Sequence, residues 1–396
     1  MKWYWKVVFI FVIWRLFLFT PMFYSQSKIP TNPDSIQYTI WAYTRPYFPV
    51  ISIFLYPLAN FDGVHYLTIA GDGNYRDGAD GRFFPLYPYL IRIPYVILGS
   101  GPFMGLKEFS LAFIITNGIF LGALLAFYKL IRLDYSENVA ITTLILLLAF
   151  PTSFFFGSFY SEGTFLLLSI LTFYFIRKKD YSKASWVTLL LSLSRIVGVC
   201  MIPITSYFYI KENYSKFLTI SKLSKRQKWQ LLKPLIIMPI GIIFIVIYCF
   251  FRWHDALYFV HAQQLAVNGR KLGEIIFFPQ TIVRYIRILF TVPYTQYAWW
   301  ISLLEFSSFF FGAIGLWYAW KKGISKSYII FSGLMFLIST QTGTFNGLPR
   351  YVIVLFPVFM ALSLNKSWIL KGLYILIGVI SLFFLLVFFS KGYFVS

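Results

Sequence analysis

Within Phe61-Asp62-Gly63-Val64-His65-Tyr66-Leu67-Thr68-Ile69-Ala70 a carboxylate, an imidazole and a phenol stand close together. Read as a helix, Asp62, His65, Tyr66 and Ile69 fall at i, i+3, i+4 and i+7 and share one face. A carboxylate in that company can take a proton from a hydroxyl group, while the ring neighbours orient it or a bound substrate. The same Asp62 would also serve as a helix cap satisfied by His65, and both readings stand on the residues alone. Gly71-Asp72-Gly73-Asn74-Tyr75 follows as a turn, and Phe83-Phe84-Pro85-Leu86-Tyr87-Pro88 as a stiff aromatic-proline run. Asp72, Asp77 and Asp80 are not spaced as an EF-hand loop and read as solvated loop charge.

Other polar residues stand out against apolar surroundings. Tyr160-Ser161-Glu162 opens an apolar run, with Ser161 placed as an N-cap and Glu162 either complementing the helix dipole or touching substrate. Leu348-Pro349-Arg350-Tyr351 opens another; Pro349 suits a first helical turn, and Arg350 beside free backbone N–H groups makes an anion site or an interfacial cation. Arg195 is deeper, in Ser194-Arg195-Ile196-Val197-Gly198. An arginine at mid-bilayer costs about 2.5–3.5 kcal/mol on insertion scales and is kept for a ligand, a pathway or a buried acid. Arg15 also sits deep. His254, Asp255, His261, Gln263, Gln264 and Arg270 form a polar group with only a weak metal signal, and no metal site is read from the chain. Cys200 and Cys249 both lie in apolar runs, which argues against a structural disulfide and against zinc.

The elements that must position these groups are set by composition. Of 396 residues 59% are apolar, 22% aromatic and only 12% charged, too few charges to cover a soluble protein of this length. Apolar stretches long enough for a hydrocarbon core of about 30 Å recur along the chain. They run near 3–23, 109–128, 139–156, 161–176, 184–210, 234–252, 296–320, 327–341, 349–365 and 368–390. The stretch 184–210 has basic residues at both flanks, so it is expected to be a helix pair broken around Arg195 and Gly198, making about eleven crossings. The expected fold is an all-α polytopic membrane bundle forming one integral membrane domain over residues 1–396.

Most of the net charge of +21 lies in short loops on one side, which marks that side as cytoplasmic and excludes nucleic acid as a partner. Anionic lipid headgroups are a natural secondary partner for it. Residues 1–20 have a basic start but no small-residue cleavage site, so they read as an uncleaved first span. Two long segments, 24–108 and 253–295, then face the extracytoplasmic side. Within them 47–58, 84–98 and 283–288 are too short to span and are expected to lie along the interface. No internal repeat is visible, which counts against transporters built from inverted halves.

At this point the chain resembles PIG-V-type mannosyltransferases, and more closely their bacterial branch. The Phe-Asp-Gly-Val-His-Tyr stretch with the following Phe-Phe-Pro-Leu-Tyr-Pro is similar to the family's first luminal loop. Tyr160-Ser161-Glu162, the Ser194-Arg195-Ile196-Val197-Gly198 break, Ala262-Gln263-Gln264 and Pro349-Arg350-Tyr351 follow in matching order, from about residue 10 to 365. Two departures are Phe61, where the family has Trp, and Ile196-Val197-Gly198, where it has an Asn-Gly pair after the buried arginine. The resemblance implies a GT-C glycosyltransferase bundle in the cytoplasmic (inner) membrane. It implies transfer of a hexose, mannose in the family, from a polyprenyl-phosphate donor to a lipid-linked or cell-surface glycan acceptor, with inversion and no cofactor. Asp62 matches the catalytic acidic position, and His65, Tyr66, Glu162, Arg195, Gln263 and Arg350 become the substrate-binding set. A transporter or lipid flippase shares the buried arginines, and a surface-polysaccharide polymerase or ligase shares the large outer loops. The first predicts internal symmetry, and the second explains Asp62 with His65 less well.

Overall fold

The structure is a computed structural model that describes residues 2–39, 53–73, 75, 78–99, 101, 105–265 and 276–395. Asn74, Asp77, Arg270 and residues 47–52, named above, lie outside the described residues, as does the side chain of Gln264. Among the described residues the chain is helical, with one isolated bridge between Ile276 and Thr342.

The chain starts with α1 (Trp3–Lys28), continues to the short α2 (Asp62–Asp72) and α3 (Leu86–Ile97), and then enters α4 (Leu106–Ile131). Next come α5 (Glu137–Leu148), α6 (Glu162–Arg177), α7 (Tyr181–Ser192) and α8 (Met201–Glu212). A bent pair follows, α9 (Lys225–Ile237) and α10 (Ile240–Trp253), then α11 (Phe278–Thr291), α12 (Tyr297–Lys321) and α13 (Lys326–Thr340). The last elements are the four-residue α14 (Leu348–Tyr351), α15 (Phe356–Ser363) and α16 (Trp368–Ser390). Among the described residues four helices, α1, α4, α12 and α16, are long and apolar enough to cross a membrane, and α9 with α10, bent by 56°, passes the same test together as a broken span or a re-entrant loop.

Several expected spans are shorter or more broken than their hydropathy implied. The runs expected over 139–156 and 327–341 form α5 and α13, of 12 and 15 residues. At about 1.5 Å per residue, α5 covers little more than half of a hydrocarbon core. The rest of its apolar run, through Phe154 and Phe155, turns back as a buried 3-10 loop. The run 349–365 is divided into α14, a 3-10 turn at Val352–Val354, and α15. Non-helical backbone at that depth is tolerated where protein, not lipid, surrounds it, and Val352, Ile353 and Val354 are all buried.

The break expected inside 184–210 is present between α7 and α8, with Arg195 extended at φ −159° and a 3-10 turn over Ile196–Cys200. Gly198 explains its tightness: a Cβ there would lie 2.3 Å from the Leu191 carbonyl oxygen. α3 and α11 form within two of the segments expected to lie along the interface, and each leaves apolar side chains uncovered, Ile93 and Ile97 on α3 and Val283 and Phe290 on α11.

Charge separates the two ends of the bundle. At one end Lys6 pairs with Glu137 at 2.5 Å, Arg177 with Asp134 at 2.6 Å and Lys179 with Glu212 at 2.7 Å. These are the short loops read as cytoplasmic. At the opposite end of α1 the first and last helices zip together: the Asn32 N–H donates to the Lys391 carbonyl at 2.9 Å, and Lys391 Nζ to Gln26 at 3.1 Å.

Candidate active site

Asp62 is the first residue of α2, and its backbone position is unusual. Phe61 before it holds φ 57° and ψ −117°, a region that a bulky side chain rarely adopts. The strain is over-determined by packing: the Phe61 ring lies 5.8 Å from Phe389 and 5.4 Å from Phe394, and its N–H donates to the Tyr38 carbonyl at 2.8 Å. Tyr160 fixes the same turn, its hydroxyl donating to the Asn60 carbonyl at 2.6 Å, while the Asn60 amide donates to Phe389 at 2.9 Å. The far end of α2 stops at Gly73, in the left-handed region, where Arg92 of α3 donates to the Ala70 and Gly71 carbonyls. A side chain at Gly73 would collide with that guanidinium.

No side chain caps α2, so the capping reading of Asp62 is set aside. Its carboxylate instead meets Arg350, whose Nη1 donates to Oδ2 at 2.6 Å, and Arg82, whose Nη2 lies 3.6 Å from Oδ1. Arg350 also approaches Glu162, with Nε 3.1 Å from Oε1, and the same oxygen accepts from Arg195 Nη1 at 2.7 Å. The result is a chain of alternating charge, Arg82–Asp62–Arg350–Glu162–Arg195, assembled from α2, the Ala79–Arg82 turn, the start of α6, the α7–α8 break and α14. Tyr351 lies under both buried arginines, 5.0 Å from Arg195 and 5.5 Å from Arg350. Glu162 Oε2 is buried without a hydrogen-bond partner among the described residues.

Electrostatics follow from this geometry. Burial works to raise the Asp62 carboxyl, but the Arg350 and Arg82 charges, with His65 behind them, overcome it and hold the group well below the usual carboxylate range. Within these ion pairs three guanidinium groups meet two carboxylates, leaving one excess positive charge. Asp62 keeps about a fifth of its side chain open, at 22%, whereas Glu162 keeps 2%. Asp62 is therefore the carboxylate that a ligand can reach, and Glu162 acts from behind the arginines.

The other expected residues are distributed around this chain. His65 does not turn to Asp62; its Nδ1 lies 2.6 Å from Asp80 Oδ1, and its ring stacks on Phe83 at 4.9 Å. Asp80 is thus buried and paired, not the solvated loop charge expected from its setting. The Tyr66 hydroxyl shares a hydrogen bond of 2.8 Å with Ser161, and so Ser161, although at the N-cap position of α6, gives no side-chain cap. Arg350 is not free beside backbone N–H groups but committed to two carboxylates. Gln263 lies in a 3-10 turn, Ala262–Leu265, that packs on the Ala79–Arg82 turn. His261 is taken by Asp255 at 2.6 Å.

Two site residues escaped the sequence reading: Arg82 and the partner role of Asp80. The available signal was an arginine placed directly before the aromatic-proline run. That run also lines an apolar cavity of about 270 Å³ whose walls include Gly81, Phe83, Leu86, Leu193, Tyr248 and Trp253. Its lining includes Gly81 and Phe83, which flank Arg82, and Leu193, two residues before Arg195.

The chain is similar over 100% of its length to the crystal structure of the Archaeoglobus fulgidus oligosaccharyltransferase in the apo form, at 14% identity and a TM-score of 0.46. It spans 57% of that protein's length. No curated protein matches the sequence. The family model described as Mannosyltransferase (PIG-V) matches residues 49–268, which carry Asp62, His65, Arg82, Glu162, Arg195 and Gln263 in order. With more than half of its length under that match, the chain belongs to the PIG-V mannosyltransferase family.

Proposed function

We propose that the protein is a membrane glycosyltransferase that moves a hexose, mannose by its family, from a polyprenyl-phosphate donor to a lipid-linked or cell-surface glycan acceptor. Transfer occurs with inversion on the extracytoplasmic side of the cytoplasmic membrane, within a GT-C-like bundle of about eleven crossings. The observation that carries this reading is the Arg82–Asp62–Arg350–Glu162–Arg195 chain, with its excess positive charge, beside an apolar cavity. A phosphodiester carries one negative charge, which that excess matches, and an isoprenoid tail is the kind of group an apolar cavity takes.

In this reaction the acceptor hydroxyl oxygen attacks the anomeric carbon, and Asp62 takes its proton. The bond from that carbon to the phosphate oxygen breaks, with its electron pair leaving on the phosphate. Attack opposite the leaving group inverts the centre. Arg350 and Arg82 stabilise the departing phosphate. Moving the Arg350 hydrogen bond and the Arg82 charge from Asp62 to the phosphate also makes Asp62 a stronger base at the moment of need. Glu162 and Arg195 contribute to substrate binding by fixing Arg350 and Tyr351. His65, Tyr66 and Gln263 border the acceptor side.

Asp62→Asn keeps size and hydrogen bonding but cannot take the proton. With a mannosyl-phosphoryl-polyprenol donor, the purified variant is expected to retain donor binding and to lose about 10²–10⁴-fold in transfer rate. Transfer at the wild-type rate would remove Asp62 from the chemistry.

A further inference from the structure

His65 stands one helical turn from Asp62 on α2, with 30% of its side chain open, and is held from behind by a built dyad. Asp80 Oδ1, on the buried side, lies 2.6 Å from His65 Nδ1. The turn that carries Asp80 is itself locked: Tyr258 donates to the Gly78 carbonyl at 3.2 Å, and its ring lies so close to Gly81 that a Cβ there would be 2.3 Å away. Phe83 from the same turn covers the imidazole face at 4.9 Å. A carboxylate on Nδ1 fixes the tautomer with its hydrogen there and leaves Nε2 as the proton acceptor; it also stabilises the imidazolium that forms. Nothing in the transfer chemistry proposed above uses this arrangement. Asp62, by contrast, is oriented by two arginines that make it a poor place for a proton to stay.

We propose that His65, backed by Asp80, is the onward proton acceptor of the transfer reaction. The proposal rests on Asp62 being the base. The acceptor O–H proton passes to the Asp62 carboxylate and then to His65 Nε2, so that Asp62 is ionised again before the next donor arrives. The imidazolium returns the proton to water, and no redox change or further reactant is involved. The charged and titratable groups around His65 among the described residues are Asp80 and Arg82 on the facing turn, Asp62 and Tyr66 on its own helix, Arg350 beyond Asp62, and Tyr258 behind the turn.

The test is the pH dependence of kcat and of kcat/KM for the full-length protein in lipid nanodiscs, with a mannosyl-phosphoryl-polyprenol donor. The wild type is expected to show an acidic limb, because a protonated His65 can accept no further proton. His65→Gln should remove this acidic limb and lower kcat by about 10²-fold. Asp80→Asn withdraws a charge that favours imidazolium, so it should move the limb to lower pH. A His65→Gln protein with the wild-type limb overturns the relay. If that variant does not fold, an unmoved limb in Asp80→Asn overturns it instead. An inactive Asp62→Asn protein together with an unmoved limb sinks only the relay, whereas an active Asp62→Asn protein sinks the assignment of the base on which it rests.

Discussion

Arg195 and Glu162 show what burial does to a pair of residues that each looked solitary. Arg195 keeps 15% of its side chain open and Glu162 2%, and their contact at 2.7 Å makes Glu162 the buried acid that Arg195 calls for. Removing one partner of a wholly buried pair costs roughly 3–5 kcal/mol, because the other charge is left uncompensated. Arg195→Leu should cost less than that, since Arg350 Nε remains 3.1 Å from the same Glu162 oxygen. Its thermal unfolding temperature in detergent should still fall, and transfer with it. Arg195→Leu/Glu162→Gln should recover the stability without the activity; a single Leu variant as stable as wild type would deny the pair any structural weight. Glu162, Arg195 and Arg350 were legible in the sequence because charge in or at the end of an apolar run is costly and so conspicuous, and Asp62 because it shares a helix face with His65 and Tyr66. Their pairing was not, since Arg350 and Asp62 are 288 positions apart and no spacing rule reaches that far. Arg82 and Asp80 were hidden for the opposite reason: in a polar loop, charge is ordinary.

Helices and breaks were read with uneven success. Four long helices and the break at Arg195 follow from apolar length and from an arginine and a glycine where a helix would not place them. The folded-back stretch between α5 and α6 and the division of 349–365 did not follow, because hydropathy scores a buried 3-10 turn rich in Phe and Val like a span. Glycine separates the two kinds of position. At Gly198 a Cβ would meet backbone at 2.3 Å, so Gly198→Ala should disrupt the break, dislodge Arg195 and abolish transfer. At Gly333, inside α13, nothing lies within 4 Å of a Cβ. Gly333→Ala should therefore be neutral or stabilise by about 0.5–1 kcal/mol, as removal of a helical glycine does. Thermal unfolding of the two variants side by side decides it, and equal behaviour would mean that the close approach at Gly198 does not hold the break.

Across the whole molecule, ion pairs at one end and the alternating charge chain at the other give the bundle a polarity that topology mapping can read. With Cys200 and Cys249 replaced by Ser, Thr31→Cys should react with a membrane-impermeant thiol reagent in intact cells, and Ser221→Cys only after permeabilisation. Both positions are exposed. The reverse pattern would move the charge chain to the cytoplasmic side and take polyprenyl-phosphate chemistry there. The zipper between α1 and α16 adds a constraint of parity. Trp3 stacks on Tyr128 at 4.8 Å, at the end where Lys6 meets Glu137, whereas Asn32 meets Lys391 at the other end. Residues 3 and 391 therefore lie on opposite faces of the bilayer. Between them the chain must traverse it an odd number of times, however many of its shorter helices turn back halfway.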